Sequence, residues 1–360
     1  MDTLDRGSDG ESSGLEDAEC ISKYEELMLH YKSGYRAGSF SRSPLPPHQM
    51  QERFTSTQDL FVLCHLGIPQ LETDSWSLAI DGLVAQPLRL AFSDLIAYPK
   101  CTITSFHQCC GNPLRPFEPT RRIANVRWSG ARLSDIMRDC RPAPEAKYLW
   151  SHGADYGEFV GMYHEAYVKD LPLERGSSDV LIAYELNGAP LPPEHGFPAR
   201  LVVPGFYSTN SVKWLTRMTL AKTRATGAFT TRWYNDPVLN AAGEESGETV
   251  PVWSIAPESI IVSPAPGQTL QRDTPQEVWG WAWADRGIDR VDVSVDGGAT
   301  WMEAQVEPRA ERAWQRFGLC WRATEPGTVV LCSKAYAHDG ARQPESTHRN
   351  AIYRIEVKVV

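Results

Sequence analysis

The last third of the chain alternates apolar and polar residues with a period of two, which restricts it to β-strands. Val291, Val293 and Val295 alternate with Asp292 and Ser294, so one face of the strand would be buried and the other would be wet. The run Asp296-Gly297-Gly298 then supplies a hairpin turn. Further strand-like runs, none with a helix signal, occupy 278–284, 314–321, 329–336 and 352–359. Strands at this spacing predict an Ig-like β-sandwich.

The preceding part of the chain mixes strand-like pieces with helix starts. Ser93-Asp94 and Ser134-Asp135 each stand close to an apolar run, which is a helix-start signal. Strand-like pieces occupy 101–106, 125–128, 147–150, 180–184, 200–204 and 213–220. This mixture predicts an α+β domain. We therefore divide the chain into a tail and arm (1–50), an α+β domain (51–250) and the β-sandwich (251–360).

Most of the negative charge lies in the tail. The formal net charge is −9, and residues 1–20 hold seven acids against one base, a sum of −6. Because this segment is also rich in Ser and Gly, we expect it to be disordered. The remainder is near neutral, which argues against nucleic acid as a partner.

The sequence also bears on location. No stretch approaches the roughly 20 apolar residues of a membrane helix, so no membrane partner is expected. The acidic N-terminus does not resemble a signal peptide or presequence, which predicts a cytoplasmic protein. Eight cysteines without CxxC or zinc-type spacing are expected to be mostly buried thiols.

Five short segments stand out when they are taken together. They are Phe61-Val62-Leu63-Cys64-His65, Gln108-Cys109-Cys110-Gly111-Asn112, 152–156, 194–200 and Ser211-Val212-Lys213-Trp214-Leu215. Their order and spacing, together with 184–188 and 201–205, resemble the molybdenum domain of sulfite oxidases and plant-type nitrate reductases. The likeness runs from about residue 55 to the C-terminus. The resemblance implies that residues 51–250 form a molybdopterin-binding catalytic domain and that residues 251–360 form a dimerisation domain, hence a homodimer.

The resemblance implies the molybdenum–molybdopterin cofactor, with Cys109 as the protein ligand of the metal. A redox-active molybdenum needs soft, electron-donating ligands, and thiolate is the soft ligand that a protein offers. In the family the pterin dithiolene supplies two sulfurs and one Cys supplies the third. Cys110 is the alternative ligand, although adjacent side chains usually point in different directions. A metal site of His107 and His152 with Cys109 or Asp155 is a further alternative, without zinc-type spacing.

The pterin and its phosphate would be bound by cations, hydrogen-bond donors and acceptors on a rigid frame. Arg200 and Lys213 would suit the phosphate, and Asp155 would accept hydrogen bonds from the pterin. Tyr234 lies in the region that supplies the family's active-site Tyr, where it is a candidate hydrogen-bond donor. The full set of cofactor-binding positions matched by resemblance is Phe61, Val62, Leu63, Cys64, His65, Asp155, His195, Arg200, Ser211, Val212 and Lys213.

The sequence departs from the family at the substrate. Sulfite oxidases place arginines at the positions of Leu63 and Leu114, where they suit an oxyanion. Losing them makes the pocket less cationic, which predicts a substrate that is less anionic or larger than sulfite, such as an organic sulfur or nitrogen oxide. Arg115, one residue beyond Leu114, could partly replace the missing positive charge, and Arg121, Arg122 and Arg127 also lie close in sequence. Arg342, near the C-terminus, is a weaker candidate.

The sequence is therefore compatible with three functions. The first is oxygen-atom transfer to or from a small oxyanion or oxo-compound. The second is genuine sulfite oxidation with other basic residues, and the third is a non-catalytic molybdopterin-binding homologue. The sequence contains no cytochrome b5 signature, no CxxCH haem attachment and no dinucleotide fingerprint. Electrons would therefore pass to or from an external partner or dioxygen.

Overall fold

The structure is a computed structural model that describes residues 36–42, 44–111, 118–120, 122–177, 179–240, 245–345 and 349–360. The acidic segment 1–20, which was expected to be disordered, therefore lies outside the described residues, whereas 36–42 and 44–50 of the predicted tail and arm are described. In the first domain the strands are β1 (Arg36–Ala37), β2 (Phe40–Arg42), β3 (Val62–Cys64), β4 (Gly67–Ile68), β5 (Ser77–Gly82), β6 (Leu88–Ala91), β7 (Lys100–Gln108), β8 (Ile123–Arg132), β9 (Tyr148–Gly153), β10 (Gly157–Phe159), β11 (Met162–His164), β12 (Val168–Pro172), β13 (Leu181–Leu186), β14 (Ala189–Pro190), β15 (Arg200–Val202), β16 (Leu215–Ala221), β17 (Asn235–Leu239) and β18 (Glu245–Pro251).

Helices occupy little of the described chain. The α-helices are α1 (Phe92–Ala97), α2 (Leu133–Cys140) and α3 (Ala228–Thr231), and 3₁₀ turns occupy Pro47–Gln49, Leu173–Ser177, Pro193–His195 and Ser208–Asn210. The helix starts were predicted slightly too late, because Ala91 and Arg132 occupy the N-cap positions. In α1 the Asp94 carboxylate caps from inside the first turn by accepting the Ala91 N–H at 2.9 Å, which is the acidic half of a capping box.

Two five-stranded sheets form the first domain. One has the order β12-β9-β16-β5-β6, and in the other β14-β13-β8-β7 is extended by β15, which pairs with β13. Strand β16 runs parallel to β5, and the remaining pairs of these sheets are antiparallel. The end of β7, the end of β9 and the starts of β15 and β16 deliver the predicted site segments, so polar residues that are distant in sequence can converge at strand ends.

The predicted β-sandwich is confirmed. Its strands follow the order β19-β21-β24-β23-β22-β25-β26-β20, in which β23 pairs with both β24 and β22 and so joins two halves. Val291 and Val293 are buried between the halves with Val278, Phe317 and Leu331. The strand bounds are β19 (Glu258–Ser263), β20 (Thr269–Leu270), β21 (Pro275–Trp283), β22 (Ile288–Ser294), β23 (Met302–Val306), β24 (Gln315–Arg322), β25 (Gly327–Ala337) and β26 (Arg354–Val359).

Aromatic side chains join the sandwich to the first domain. Trp281 stacks on Trp314 with ring centroids 4.7 Å apart, and its indole N–H donates to the Met50 carbonyl at 2.7 Å. Trp283 packs in the same buried cluster as Phe106 of β7 and as Cys110. The junction therefore lies directly behind the loop that follows β7. None of the described helices is long and apolar enough to cross a membrane.

Candidate functional site

A cavity of about 720 Å³, including its open mouth, lies at the converging strand ends of the first domain. The predicted site residues line it, with the exception of Val212, whose side chain packs into the main hydrophobic core. The cavity is lined by Leu60, Phe61, Val62, Leu63, Cys64, His65, His107, Cys109, Cys110, Asp155, Tyr167, His195, Arg200, Ser208, Thr209, Ser211, Lys213, Trp214 and Tyr234. Segments that are far apart in the chain, from Leu60 to Tyr234, thus meet in one place.

Cys109 presents a buried thiol that is supported by hydrogen-bond donors. It directly follows β7 and is 7% exposed. Burial raises the pKa of the thiol, whereas a backbone hydrogen bond from Gly111 and the charge and hydrogen bond of Arg122 lower it. The Arg122 guanidinium also donates to the Gly111 carbonyl at 3.1 Å. Burial is the largest of these effects, so the pKa of the thiol is raised overall, and the donors are placed to stabilise the thiolate, which is the form that binds a metal.

Cys110 points away from its neighbour. Cys109 packs with Phe61 and Trp128, whereas Cys110 packs with Phe106 at the junction with the sandwich. Burial raises the pKa of the Cys110 thiol to about 11. The two adjacent thiols therefore have different surroundings, although both reach the cavity wall.

Lys213 supplies a buried cation on another wall of the cavity. Its ammonium group donates to the Leu63 carbonyl at 3.1 Å and to the Glu194 carbonyl at 3.1 Å, and it lies 2.9 Å from the Cys64 sulfur. Gly196 makes this packing possible, because a Cβ at its left-handed position (φ +105°) would lie 3.0 Å from the Lys213 Cβ. The ammonium group is thereby fixed in position before any ligand arrives.

Arg200 is held mainly by the protein itself. Its guanidinium donates to the His195 carbonyl and to the Ser211 carbonyl, both at 2.9 Å, and lies 4.9 Å from the Trp128 ring centroid. Burial lowers the pKa of Arg200 to about 9. A guanidinium carries five N–H groups, so Arg200 both braces the cavity wall and retains donors beyond these two contacts.

Two buried polar atoms at the cavity have no hydrogen-bond partner among the described residues. They are Oδ1 of Asp155 and Nε2 of His195. Burial raises the pKa of Asp155 to about 7 and lowers that of His195 to about 3. An unmade buried hydrogen bond costs about 1–3 kcal/mol, so these atoms indicate a polar ligand. Together with two cations and a thiolate donor, they fit the phosphate, the hydrogen-bonding edges and the soft metal of molybdopterin.

We expect the pH dependence of stability in the cofactor-free protein to reveal the buried Asp155 carboxyl. Because its folded pKa is raised, the native state holds this proton between about pH 4 and pH 7, where the unfolded chain has released it. The free energy of unfolding should therefore fall as pH rises through that window, by as much as about 4 kcal/mol at about 1.4 kcal/mol per pKa unit. In Asp155→Asn this component should vanish. Urea unfolding at pH 5 and pH 8 measures the difference, and identical pH slopes in both proteins would contradict the assignment.

Tyr234 and His65 meet at the side of the cavity near Cys110. The Tyr234 hydroxyl lies 2.5 Å from Nε2 of His65. Burial, assisted by Lys213, lowers the pKa of His65 to about 4, so the ring is neutral near pH 7. Tyr234 has a left-handed backbone (φ +59°), a strained conformation that is commonest at functional sites. With the imidazole proton on Nε2, the Tyr234 hydroxyl would be free to donate into the cavity.

The structure also places the candidate substrate cations. Arg127 is exposed and stacks on Phe54 at 4.0 Å, and Arg342 is exposed beyond β25, so neither supplies charge to the cavity. The sequence alone left their position open, and both side chains lie on the solvent face. Leu114, Arg115 and Arg121 lie outside the described residues.

Sequence reasoning missed several residues at or behind the cavity. His107, which the sequence offered only as an alternative metal ligand, lines the cavity with Cys109, and their i, i+2 spacing is the signal that could have placed it there. Lys169 is 1% exposed, donates to the Phe229 carbonyl at 3.1 Å and lies 5.4 Å from the Tyr234 ring centroid. Arg349, from the C-terminal segment, donates to the Cys110 carbonyl at 3.0 Å.

His152 does not line the cavity, and within the described ranges no group of three or more His, Cys, Asp or Glu could hold a metal ion.

Comparisons with known proteins agree with this site. Residues 65–229 match the oxidoreductase molybdopterin binding domain, and residues 250–356 match the Mo-co oxidoreductase dimerisation domain. Mitochondrial sulfite oxidase of Rattus norvegicus is 30% identical over 89% of this chain and 64% of its own length. Sulfite oxidase of Gallus gallus is 30% identical over 85% of this chain and 72% of its own. The match thus covers less than two thirds of the length of the Rattus norvegicus relative.

One solved structure resembles the whole chain. The sulfane dehydrogenase SoxCD of Paracoccus pantotrophus superposes with a TM-score of 0.75 and 28% sequence identity. The match covers 99% of this chain and 93% of that chain. Both the first domain and the sandwich therefore have counterparts in that structure.

Proposed function

The chain belongs to the sulfite oxidase family of molybdopterin-dependent oxidoreductases, and on this premise we propose that it transfers an oxygen atom to or from a substrate less anionic or larger than sulfite. The proposal rests on the presence of an apolar residue, Leu63, at the cavity. Leu63 lines the cavity and packs against the apolar cluster that contains Cys109, at the position where the family resemblance implies an arginine. An apolar side chain there gives no charge-assisted hydrogen bond, which would contribute about 1.5–3 kcal/mol to an oxyanion.

The charge beside Cys110 is already compensated, because the Arg349 guanidinium forms two hydrogen bonds with the Asp236 carboxylate, at 2.5 and 2.6 Å. The Lys169 ammonium group behind Tyr234 donates to the Phe229 carbonyl at 3.1 Å, and burial lowers the pKa of Lys169 to about 8, so its surroundings disfavour the charged form. Neither residue replaces an arginine in the cavity for a dianion, which favours a neutral or singly charged substrate.

The chain's own residues would divide the work as follows. Cys109 would hold the metal, Lys213 and Arg200 would bind the phosphate, and Asp155 and His195 would pair with the pterin edge. When bound, the cofactor supplies the site at which an oxygen atom and two electrons are exchanged. Tyr234, oriented by His65, would donate a hydrogen bond to an oxygen in the cavity.

The SoxCD similarity supports a substrate other than sulfite, because that protein is a sulfane dehydrogenase. Electrons would pass to or from a separate redox partner or dioxygen. The match of residues 250–356 to a dimerisation domain supports a homodimer. The free thiols of the described cysteines are in keeping with a reducing compartment such as the cytoplasm.

Genuine sulfite oxidation is the second candidate, and one contact favours it. Arg122 places a guanidinium beside Cys109, where it could also bind an oxyanion. The relatives from Rattus norvegicus and Gallus gallus, both sulfite oxidases, support the same candidate.

Steady-state assays separate the two candidates. The molybdenum-loaded protein is assayed with sulfite at physiological salt, and with a neutral sulfoxide and an amine N-oxide as oxygen donors with a reduced dye. We expect the neutral probes to have the higher kcat/KM. A low-micromolar KM for sulfite, with rapid turnover, would contradict the main proposal and support the second.

A further inference from the structure

The side chain of Gln108, immediately before Cys109, is held entirely by residues that follow the first domain. Its amide N–H groups donate to Oε2 of Glu258 at 2.5 Å and to Oδ1 of Asn350 at 2.9 Å. Its carbonyl oxygen accepts the indole N–H of Trp283 at 2.9 Å. Gln108 is fully buried, so its amide has one well-defined orientation, and rotating it by half a turn would break all three contacts.

Glu258 is the least expected member of this group. It opens β19, is 1% exposed and has Thr120 in contact with its second carboxyl oxygen. Burial raises its pKa well above the usual range, and the hydrogen bond from Gln108 lowers it by less. A buried carboxyl group is costly unless its hydrogen bonds are satisfied, and here both of its oxygens have partners.

The other side of Cys109 is also held from the C-terminal part of the chain. Arg349 donates to the Cys110 carbonyl at 3.0 Å, and its guanidinium is fixed by the carboxylate of Asp236. Its neighbour Asn350 donates to the Ala256 carbonyl at 3.0 Å. Cys109 thus lies between two anchored residues, and the anchors come from the sandwich domain.

We propose that Glu258 is a positioning residue that acts through Gln108, so that the sandwich domain fixes the orientation of the Cys109 thiol. A metal-ligating side chain must be held within about 0.5 Å of its productive geometry by supporting contacts. Loss of such contacts typically costs 10- to 100-fold in metal affinity or activity. This inference rests on the proposed role of Cys109 as the metal ligand.

The decisive substitutions differ in shape and hydrogen bonding. Glu258→Leu removes both contacts of the carboxyl group. Glu258→Gln keeps the shape, one acceptor for Gln108 and one polar group for Thr120, so it should restore the network. Gln343→Leu is the matched control. Gln343 is buried in the same domain, where it accepts hydrogen bonds from Ser259 at 2.7 Å and from the Ala335 N–H at 3.0 Å, and these partners are distinct from those of Gln108.

The first readout uses the full-length cofactor-free protein, so it does not depend on the proposed activity. Iodoacetamide labelling followed by peptide mapping gives the alkylation rate of Cys109. We expect this rate to rise about 10-fold or more in Glu258→Leu, because a loop without its anchor opens locally. Glu258→Gln and Gln343→Leu should remain close to the unsubstituted protein.

The second readout uses the molybdenum-loaded enzyme. We expect Glu258→Leu to lower kcat by about 10- to 100-fold with little change in KM, and to broaden the Mo(V) electron paramagnetic resonance signal.

Unchanged alkylation of Cys109 in Glu258→Leu would overturn the proposal, as would an equal rise in Gln343→Leu. If Glu258→Leu does not fold, Trp283→Phe decides, because it removes the indole donor to Gln108 and keeps an aromatic ring in the buried cluster. A rise in its alkylation rate supports the proposal, and an unchanged rate overturns it.

Discussion

Replacing Cys109 with Ser is expected to lower turnover by about three orders of magnitude or more, which corresponds to about 4 kcal/mol on the activation barrier. A serine hydroxyl is a hard, weakly donating ligand, whereas the metal requires a soft thiolate. The contacts proposed for the pterin come from Lys213, Arg200 and Asp155 on other walls of the cavity. Most of the pterin should therefore stay bound. Steady-state kinetics and fluorescence of the extracted pterin measure the two effects separately.

Two other cysteines serve as controls for this substitution. Cys110→Ser tests the adjacent thiol, which packs at the junction with the sandwich, and Cys140→Ser tests a buried thiol in α2 that does not line the cavity. We expect Cys140→Ser to keep full turnover and Cys110→Ser to keep most of it. Loss of turnover in Cys110→Ser together with retention in Cys109→Ser would move the metal to Cys110.

Replacing Leu63 with Arg is expected to raise kcat/KM for sulfite by about 10- to 100-fold. The new guanidinium would enter the cavity from β3 and could form a charge-assisted hydrogen bond with the oxyanion, worth about 1.5–3 kcal/mol. The Leu63 carbonyl, which accepts from Lys213 at 3.1 Å, is a backbone group and would remain. The value for a neutral sulfoxide should not rise, because the added interaction depends on substrate charge.

Leu63→Met is the matched control, because it keeps an uncharged side chain of similar volume. Molybdenum content is measured in each variant, since a cation close to Lys213 could weaken cofactor binding through repulsion. If sulfite kinetics are unchanged in a fully loaded Leu63→Arg enzyme, charge at this position does not determine the substrate. The proposed preference for a less anionic substrate would then fail.

The sequence predicted most of the cavity wall because the relevant signals are local. The Cys109-Cys110-Gly111 turn and the Ser211–Lys213 segment each combine several site residues within a few positions, and each adjoins a strand. The sandwich was predicted for the same reason, since alternation at Val291, Val293 and Val295 is visible in a single strand. The resemblance of the segments, in order and spacing, to the sulfite oxidase family then predicted that they share one site.

Residues whose role depends on distant contacts could not be predicted in this way. Gln108 and Glu258 are 150 positions apart, and nothing local marks Glu258 as a partner of the loop. No pattern in the sequence of β12 marks Lys169 as a site residue, and only the fold brings it close to Tyr234. Arg127 illustrates the converse, because nearness in sequence to a site residue does not set the face on which a side chain emerges.

The central claim is that this cavity holds molybdenum–molybdopterin with the Cys109 sulfur on the metal. X-ray absorption at the molybdenum edge tests it most directly, on protein expressed in a host that makes the cofactor. We expect molybdenum equimolar with the chain and surrounded by three sulfurs, two from the pterin and one from Cys109, with one sulfur fewer in Cys109→Ser. Protein without molybdenum, or a sulfur count that does not change in Cys109→Ser, would contradict the account.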